Sequence, residues 1–346
     1  MQPVHNNKRA FLLTSLIVLV VVFVMVLAGI ANELLDKNDT SQKKQQTSQQ
    51  QTSQQSSETK VEGLVLDPNK QYGNKYANGV LPVGDKKYTT DAAKKGYVYM
   101  CRANFVPENQ AGAQVRGPWF VNNNTQWDSN KKPAVDGNVT WKNNISMSQD
   151  TTTRIISTND LPDHHTGVFP VASSDDAYKY DKNPNSIKQQ TLTYALTKNP
   201  TYGAPQCMGN ESGIMLSGSA LFNAFDAGGR DAGVWEVQDS CDGHPQAAGE
   251  YHYHTLSRCI TDVSVSKVIG FALDGYPITG PKVGDNNILT TDDLDECHGI
   301  VSAIELDGKT VTTYHYVMTQ DFPYSVSCFR ATPIQPPRVA GPAGRP

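Results

Sequence analysis

Motifs that mark common enzyme reactions are absent from this chain of 346 residues. It contains no P-loop, no glycine fingerprint for a dinucleotide, no G-x-S-x-G nucleophile elbow and no H-E-x-x-H zinc motif. No C-x-x-C pair occurs, so a zinc finger of the usual spacing is not expected. Because no motif marks a general base, the sequence predicts no particular reaction and leaves open whether the protein is an enzyme.

Charge is also scarce. Charged residues make up 18% of the chain, and the net charge is -4. Proteins that bind nucleic acid usually carry a basic patch or stripe, and a mildly acidic chain gives no electrostatic reason to expect one. We therefore predict no nucleic-acid partner.

One long hydrophobic run stands near the start, where residues 11–30 carry no charged side chain. About twenty apolar residues span a bilayer as a helix. Lys8 and Arg9 precede the run, and such flanks stay in the cytoplasm, so we predict a cytoplasmic segment over 1–10 and a transmembrane signal-anchor over 11–31. A cleaved signal peptide is the alternative, although its apolar core is normally only about 7–15 residues long. Both alternatives export the main domain, which we expect outside the cytoplasm on a single-pass anchor in the cell membrane.

Composition divides the rest of the chain into three segments. Gln, Ser and Thr dominate residues 41–60, and such a segment buries too little apolar surface to offset its ordering entropy. We predict a disordered linker over 32–60, a folded domain over 61–330 and a disordered tail rich in Pro and Gly over 331–346.

All six cysteines lie in the predicted exported domain. An even number of Cys in an oxidising compartment indicates disulfides, although six Cys allow fifteen pairings. Proximity along the chain favours Cys241 with Cys259 and Cys297 with Cys328, which leaves Cys101 with Cys207.

Long helical patterns are missing from the folded domain. Apolar residues come in short runs separated by Gly, Pro, Asn and Asp, which is typical of strands and turns. One short helix is predicted at 290–299, and no repeat of 20–50 residues is visible. The expected fold class is mainly β, a single sandwich- or barrel-like domain with long disulfide-bearing loops, preceded by the transmembrane helix. Strands are predicted within 151–160, 191–197, 213–225, 265–278 and 310–319.

The stretch GEYHYHTLSRC, residues 249–259, carries the strongest candidate site. Residues two apart in a strand share a face, so His252 and His254 can chelate one ion while Tyr251 and Tyr253 face the other way. Two imidazoles about 7 Å apart along a strand suit zinc or copper when a third ligand joins them.

Two more histidines are candidates for the remaining ligands. The unit Tyr-His-Tyr recurs at 314–316, and His315 would face the first pair if the two strands lie near each other. His244 lies in a predicted loop just upstream and is a candidate fourth ligand or acid/base group. Asp274 and Glu250 are carboxylate candidates, either as ligands or as partners that fix an imidazole tautomer.

Two other interpretations are open at this point. A half-buried strand with alternating Tyr and His needs no metal, and the histidines would then brace a disulfide-linked loop. Alternatively, the domain is a non-catalytic binding module for a glycan or protein partner at the cell surface, displayed on its tether. That interpretation gives most weight to the four tryptophans, Trp119, Trp127, Trp141 and Trp235.

Several segments resemble the YHYH-domain proteins, a family named for the motif at 251–254. They are LPDHHTGVFP, CMGNESG, ALFNAFDAGGRDAG, EVQDSCDGHPQAAGEYHYH, VIGFALDGYPITGP, DLDEC and YHYVMTQDFPYSVSCFRA, in the family's order over residues 155–330. The resemblance implies a single exported YHYH domain, and it supplies no reaction. It also implies a shared importance for the matching histidines, His244, His252, His254 and His315.

The chain departs from the family pattern at three positions. Thr279 stands where the family often has an aromatic residue. His298 stands where Asn is usual, which makes it the weakest ligand candidate among the C-terminal histidines. His165 is also peculiar to this sequence.

Overall fold

A computed structural model describes residues 62–338 of the chain. The predicted cytoplasmic segment, anchor and linker lie outside the described residues, as does the end of the predicted tail, 339–346. The described residues form one compact unit. Among the described residues, no helix has the length and hydropathy needed to cross a bilayer.

Short strands dominate the described domain, which is mainly β as the sequence predicts. They form one sheet of eight strands, two sheets of three strands and two pairs. Each segment with a predicted strand contains at least one. In chain order the strands are β1 (Val80–Pro82), β2 (Tyr88–Thr89), β3 (Val98–Tyr99), β4 (Phe120–Val121), β5 (Gln126–Asp128), β6 (Ile145–Gln149), β7 (Thr153–Thr158), β8 (Leu192–Thr197), β9 (Glu211–Met215), β10 (Ala220–Phe222), β11 (Gly243–Pro245), β12 (Tyr251–Tyr253), β13 (Val268–Ala272), β14 (Pro277–Thr279), β15 (Lys282–Gly284), β16 (Asn287–Ile288), β17 (Gly299–Leu306) and β18 (Lys309–Val317).

Helices are few and short within residues 62–338. The one α-helix, α1, covers Ala232–Trp235. In place of the helix predicted at 290–299, the structure has a 3-10 turn over Thr291–Asp293, and β17 begins at Gly299. The Asp293 carboxylate accepts hydrogen bonds from the N–H and the hydroxyl of Thr290, which caps that turn. Two further 3-10 turns cover Glu108–Gln110 and Asp176–Lys179.

Three disulfides pair all six cysteines in the combination that the sequence favours. Cys101–Cys207 closes the longest loop, with a sequence separation of 106 residues, against 31 for Cys297–Cys328 and 18 for Cys241–Cys259. A longer closed loop removes more conformational freedom from the unfolded chain. The Cys101–Cys207 bond is therefore expected to restrict the unfolded state most.

The eight-stranded sheet consists of two four-stranded halves related by a pseudo-twofold axis. Its strand order is β11-β12-β10-β9-β13-β14-β18-β17. From either edge inward, the pairings are antiparallel, parallel and antiparallel. At the centre β9 and β13 pair antiparallel, with Ile214 opposite Phe271. The first half holds β9 to β12, and the second holds β13, β14, β17 and β18.

The strand registers of the two halves also correspond. Leu221 pairs with Gly213 and with Tyr253 in the first half. The equivalent residue in the second half, Ile278, pairs with Gly270 and Tyr316. Each half has its register shift at the same place in the inner hairpin. Equivalent positions such as Gly243 and Gly299 lie too far apart in sequence for a repeat of 20–50 residues, which is why the sequence pattern misses this duplication.

Equivalent polar contacts hold the outer hairpin of each half. Asp239 accepts hydrogen bonds from the Tyr251 hydroxyl and from the N–H groups of Cys241 and Gly243. A buried carboxylate with several donors is satisfied in the interior, and it ties the turn before β11 to the side chain on β12. The same bonds in the second half join Asp295 to Tyr314, Cys297 and Gly299.

The tyrosines of both Y-H-Y units pack in the main hydrophobic core. Tyr251 and Tyr253 are completely buried, with their ring centroids 5.5 Å apart. Tyr314 and Tyr316 repeat this arrangement with a centroid separation of 5.3 Å. Because alternate residues of a strand face opposite ways, the histidines of each unit lie on the other face of the sheet.

Gly299 is predicted to be essential for packing of the second half. A Cβ at this position would overlap the Tyr314 ring, as a Cβ at Gly243 would overlap Tyr251. Gly299→Ala should therefore lower the free energy of unfolding by about 1–3 kcal/mol or more. The control Gly284→Ala, whose Cβ would have its nearest neighbour 3.9 Å away, should cost less than about 1 kcal/mol. Denaturant unfolding compares the two, and equal losses would contradict this account.

Candidate metal centre

Three histidines converge at one end of the eight-stranded sheet. His244 lies on β11 directly opposite His252 on β12, and His254 follows the end of β12. One ring nitrogen of each lies within 4.8 Å of the others, and all three side chains are buried. His252 and His254 share a face as predicted, although β12 is only three residues long. His244, expected in a loop, lies in a strand.

Backbone carbonyls fix the tautomers of two of these rings. The Nδ1 of His252 lies 3.2 Å from the Glu250 carbonyl oxygen, and the Nδ1 of His254 lies 2.5 Å from the Asn223 carbonyl oxygen. A carbonyl oxygen only accepts, so each Nδ1 carries the proton and donates it. The Nε2 of each neutral ring therefore presents a lone pair. Metal-binding histidines are commonly oriented in this way.

The two lone pairs face each other. His252 Nε2 and His254 Nε2 are 3.1 Å apart, and their contact is favourable only with a proton or a cation between the nitrogens. Burial lowers the pKa of both rings, that of His254 to about 4, so both are neutral near pH 7. Two nitrogens bound to one tetrahedral zinc ion at about 2.0–2.1 Å lie about 3.3 Å apart. The observed spacing therefore suits a metal ion.

His244 is left with no hydrogen bond at either ring nitrogen. Both nitrogens are buried, and neither has a partner among the described residues. A buried polar group without a partner costs about 1–3 kcal/mol. Burial also lowers the pKa of this ring well below its ordinary value, which disfavours the imidazolium. A ligand bond from a neutral ring nitrogen to a metal would satisfy one of the two atoms.

Glu236 adds an oxygen donor that the sequence analysis missed. Its Oε2 lies 3.4 Å from His254 Nε2 and 3.6 Å from His244 Nε2, and it has no hydrogen-bond partner within the described chain. Burial raises the pKa of this carboxyl well above its ordinary value. A dication would reverse that preference and favour the carboxylate. Glu236 lies directly after α1 with no diagnostic spacing from the histidines, so no sequence signal identifies it.

Lys132 holds the segment that carries Glu236. Its Nζ donates to the backbone carbonyl oxygens of Gly233 and Glu236, both at 2.6 Å, and to Gln238 Oε1 at 2.5 Å. All three donors of the ammonium are thereby used. Burial lowers its pKa to about 8. These contacts fix the backbone at Glu236, from which the carboxyl group reaches the histidines.

The three histidines and Glu236 line an open cleft of about 890 Å³. Phe222 forms one wall and stacks on the His252 ring, with centroids 4.1 Å apart. The rest of the lining includes residues from the segments 100–112 and 181–185. A cleft of this size admits a small molecule, so a metal held at its base would be reachable.

A second group of potential ligands lies on the opposite face of the sheet. It consists of His164 and the sulfur atoms of Cys241 and Cys259. The two sulfurs form a disulfide, so neither is the thiolate that metals bind. His164 Nε2 accepts a hydrogen bond from the Tyr253 hydroxyl at 2.6 Å. This group is therefore explained by its own bonds.

His315 lies apart from the other candidate ligands. Four strands lie between β12 and β18 in the sheet, so five strand spacings of about 4.8 Å separate them by about 24 Å. Its Nδ1 is 2.9 Å from the Thr279 hydroxyl oxygen and its Nε2 is 2.7 Å from that of Ser302. The condition for His315 to join the first pair, that the two Y-H-Y strands lie near each other, is not met. They are instead equivalent strands in opposite halves.

The second half has other residues at the positions equivalent to His244 and His254. Ile300 pairs with His315 as His244 pairs with His252, and Val317 follows as His254 does. Both replacements belong to an apolar cluster with Leu289 and Leu294. The duplicated scaffold therefore has a histidine group in one half and a hydrophobic core in the other.

The carboxylate candidates from the sequence have other partners. Glu250 Oε2 accepts from Gln246, and this residue reaches the histidines only through its backbone carbonyl. Asp274 accepts from the Tyr316 hydroxyl at 2.7 Å in the second half. His298, the weakest candidate, is buried and its Nε2 lies 3.0 Å from the Thr319 hydroxyl oxygen.

The tryptophans do not form a common surface. Trp119, Trp127 and Trp235 are 0%, 7% and 5% exposed. Trp141 is partly exposed, and its Nε1 donates to the Thr166 hydroxyl at 2.9 Å. Aromatic stacking on a sugar needs an accessible ring face, so these residues give no support to a glycan-binding interpretation.

His315 is predicted to destabilise the domain in acid. Burial lowers its pKa to about 4, whereas an unfolded histidine titrates near about 6.5. Between those values the unfolded chain binds more protons, so stability falls by up to about 1.4 kcal/mol per pH unit as pH decreases from 6.5 to 4. The free energy of unfolding is measured against pH with a chelator present. Its slope between pH 6.5 and 4 should correspond to about one proton fewer in His315→Gln than in the wild type. Equal slopes for the two proteins would rule this out.

A protein-family model matches the part of the chain that contains the three clustered histidines. Residues 193–290 match the family model described as YHYH protein. No curated protein and no solved structure matches the chain. The matched segment covers the first half of the eight-stranded sheet and the inner hairpin of the second. The matched segment contains His244, His252 and His254, so the candidate metal centre lies in the part of the chain that is similar to the YHYH protein family.

Proposed function

We propose that the domain binds one divalent transition-metal ion, zinc or copper, through His244, His252 and His254, with Glu236 as a fourth ligand. The observation that carries the proposal is the 3.1 Å contact between two Nε2 atoms whose tautomers are both fixed by backbone carbonyls. Three imidazoles and one carboxylate, with no thiolate or thioether, form a donor set suited to zinc or copper.

The surroundings favour a site that acts on a small molecule over a closed structural site. Structural zinc sites are usually closed to solvent, whereas this group of four donors opens into a cleft from which a fifth ligand could reach the ion. A bound metal of this kind acts as a Lewis acid and lowers the pKa of a bound water. Lys132 fixes the backbone of Glu236, and Phe222 covers His252, so the chain itself orients two of the donors.

We also propose that the domain works outside the cytoplasm, tethered to the membrane by residues 11–31. The pairing of all six cysteines supports an oxidising compartment, because disulfides are rare in the cytosol. The uncharged run and its basic flank in the sequence are the basis for the anchor.

Metal analysis of the full chain tests the proposal. The protein, exported and purified in detergent, should hold about one zinc or copper ion per chain after reconstitution, measured by mass spectrometry. His252→Ala/His254→Ala should reduce this to background because two ligands are lost. His315→Gln should retain the full content, since this ring lies in the other half. A metal-free wild type, or equal metal in the double variant, would overturn the proposal.

Glu236 provides a finer test of the ligand set. Glu236→Gln keeps the size of the side chain but removes its charge, so the affinity for zinc should fall by at least about tenfold. Competition with a chelator measures this change. Glu250→Gln is the matched control, because the Glu250 carboxylate points to Gln246 and not to the histidines. An unchanged affinity in Glu236→Gln would remove Glu236 from the ligand set.

A further inference from the structure

The cleft above the histidines is a property of one half of the sheet alone. In the second half, Leu289 and Leu294 pack on Ile300 and Val317 at the equivalent place. The scaffold therefore folds with this space filled, and the fold itself does not require a cleft. An open space over His244 and its neighbours calls for a ligand as its explanation.

The carboxylates that line the cleft are already engaged. Asp226 forms a buried ion pair with Arg230 at 2.5 Å. Asp181 accepts hydrogen bonds from the backbone N–H groups of Asn183 and Val237. Glu236 faces the histidines. Asp226 is thus paired with a cation, Asp181 is occupied by backbone donors and Glu236 is directed at the metal group, so each carboxylate of the lining already has a partner or a role.

Two cationic side chains in the lining form no ion pair within the described residues, and Lys182 Nζ lies 5.5 Å from the centroid of the Tyr178 ring. Arg102 and Lys182 both line the cleft and are exposed, and neither has an ion-pair partner within 4.0 Å among residues 62–338. The chain as a whole is acidic, with a net charge of -4. Cationic side chains that line a cleft attract anions and raise their rate of association.

Neutral hydrogen-bonding groups complete the lining. Asn104, Gln110 and Asn210 line the cleft and are exposed, so their amides can donate to oxygen atoms of a ligand. Phe222 supplies an apolar wall next to the histidines. Such a mixture of a few polar groups and an apolar wall is typical of a site for a small organic molecule.

We propose that the cleft binds a small dianion that carries two oxyanion groups or one doubly charged group, such as a dicarboxylate or a phosphate. One oxyanion would bind the metal as a fifth ligand from the cleft, and the remaining charge would be bound by Arg102 and Lys182. This inference rests on the proposed metal site and adds the class of ligand to it. It assigns a binding role to two side chains that the metal site does not use.

A titration of the cobalt-loaded full chain tests this inference. Cobalt takes the place of zinc as a visible probe, and an anion that enters its coordination sphere changes the absorption spectrum. Inorganic phosphate and succinate are the two probes, which distinguish a phosphate ligand from a dicarboxylate. Acetate, with one charge, serves as the reference anion. At low ionic strength at least one dianion should bind more tightly than acetate.

Charge-matched variants locate the binding. Arg102→Gln/Lys182→Gln should weaken dianion binding by at least about tenfold, with a smaller loss for acetate. Lys267→Gln/Lys309→Gln removes the same charge from exposed positions outside the cleft and should leave binding within about twofold. Both variants alter exposed side chains, and metal content and melting temperature are measured for each.

The outcomes distinguish a failure of the anion site from a failure of the proposed metal site. If metal binds and the dianions do not, or if both double variants lose affinity equally, the anion site is wrong and the metal site stands. If the wild type binds no metal, the proposed function fails and the anion site fails with it.

Discussion

The site depends on one contact, between the Nε2 atoms of His252 and His254, 3.1 Å apart. Each ring is held in place by a hydrogen bond from its Nδ1 to a backbone carbonyl, so neither can rotate to relieve the opposition of lone pairs without losing that bond. Burial disfavours the extra proton that would otherwise join them. The unpartnered nitrogens of His244 and the unpartnered Oε2 of Glu236 surround the same point. A single cation would resolve all of these unfavourable arrangements together.

The pseudo-twofold sheet shows what the scaffold requires and what it does not. Both halves have the buried tyrosines, the glycine against which the ring of the first tyrosine packs, and the aspartate that accepts from its hydroxyl. These features therefore belong to the packing of the fold. The two halves differ at His244 and His254, which become Ile300 and Val317. Where these two histidines are replaced, the space above them is filled by apolar side chains, so the open cleft is associated with the histidines.

Local patterns in the sequence were sufficient for the parts of this account that depend on neighbouring residues. Alternation predicted the shared face of His252 and His254, and short separations predicted the disulfides at Cys241 and Cys297. Strand order depends on contacts between distant segments, and this is where the prediction for His315 failed. Two parallel pairings place its strand in the opposite half of the sheet. Glu236 was missed for a similar reason, since it reaches the site through the fold of the segment after α1.

Anomalous diffraction from crystals of the zinc-loaded protein tests the central claim most directly, because it locates the metal without relying on activity. The account predicts one strong peak, about 2.0–2.2 Å from one nitrogen each of His244, His252 and His254. A peak at other residues, or none at all with the two Nε2 atoms still in contact, would show that a shared proton joins these rings and that the histidines are structural.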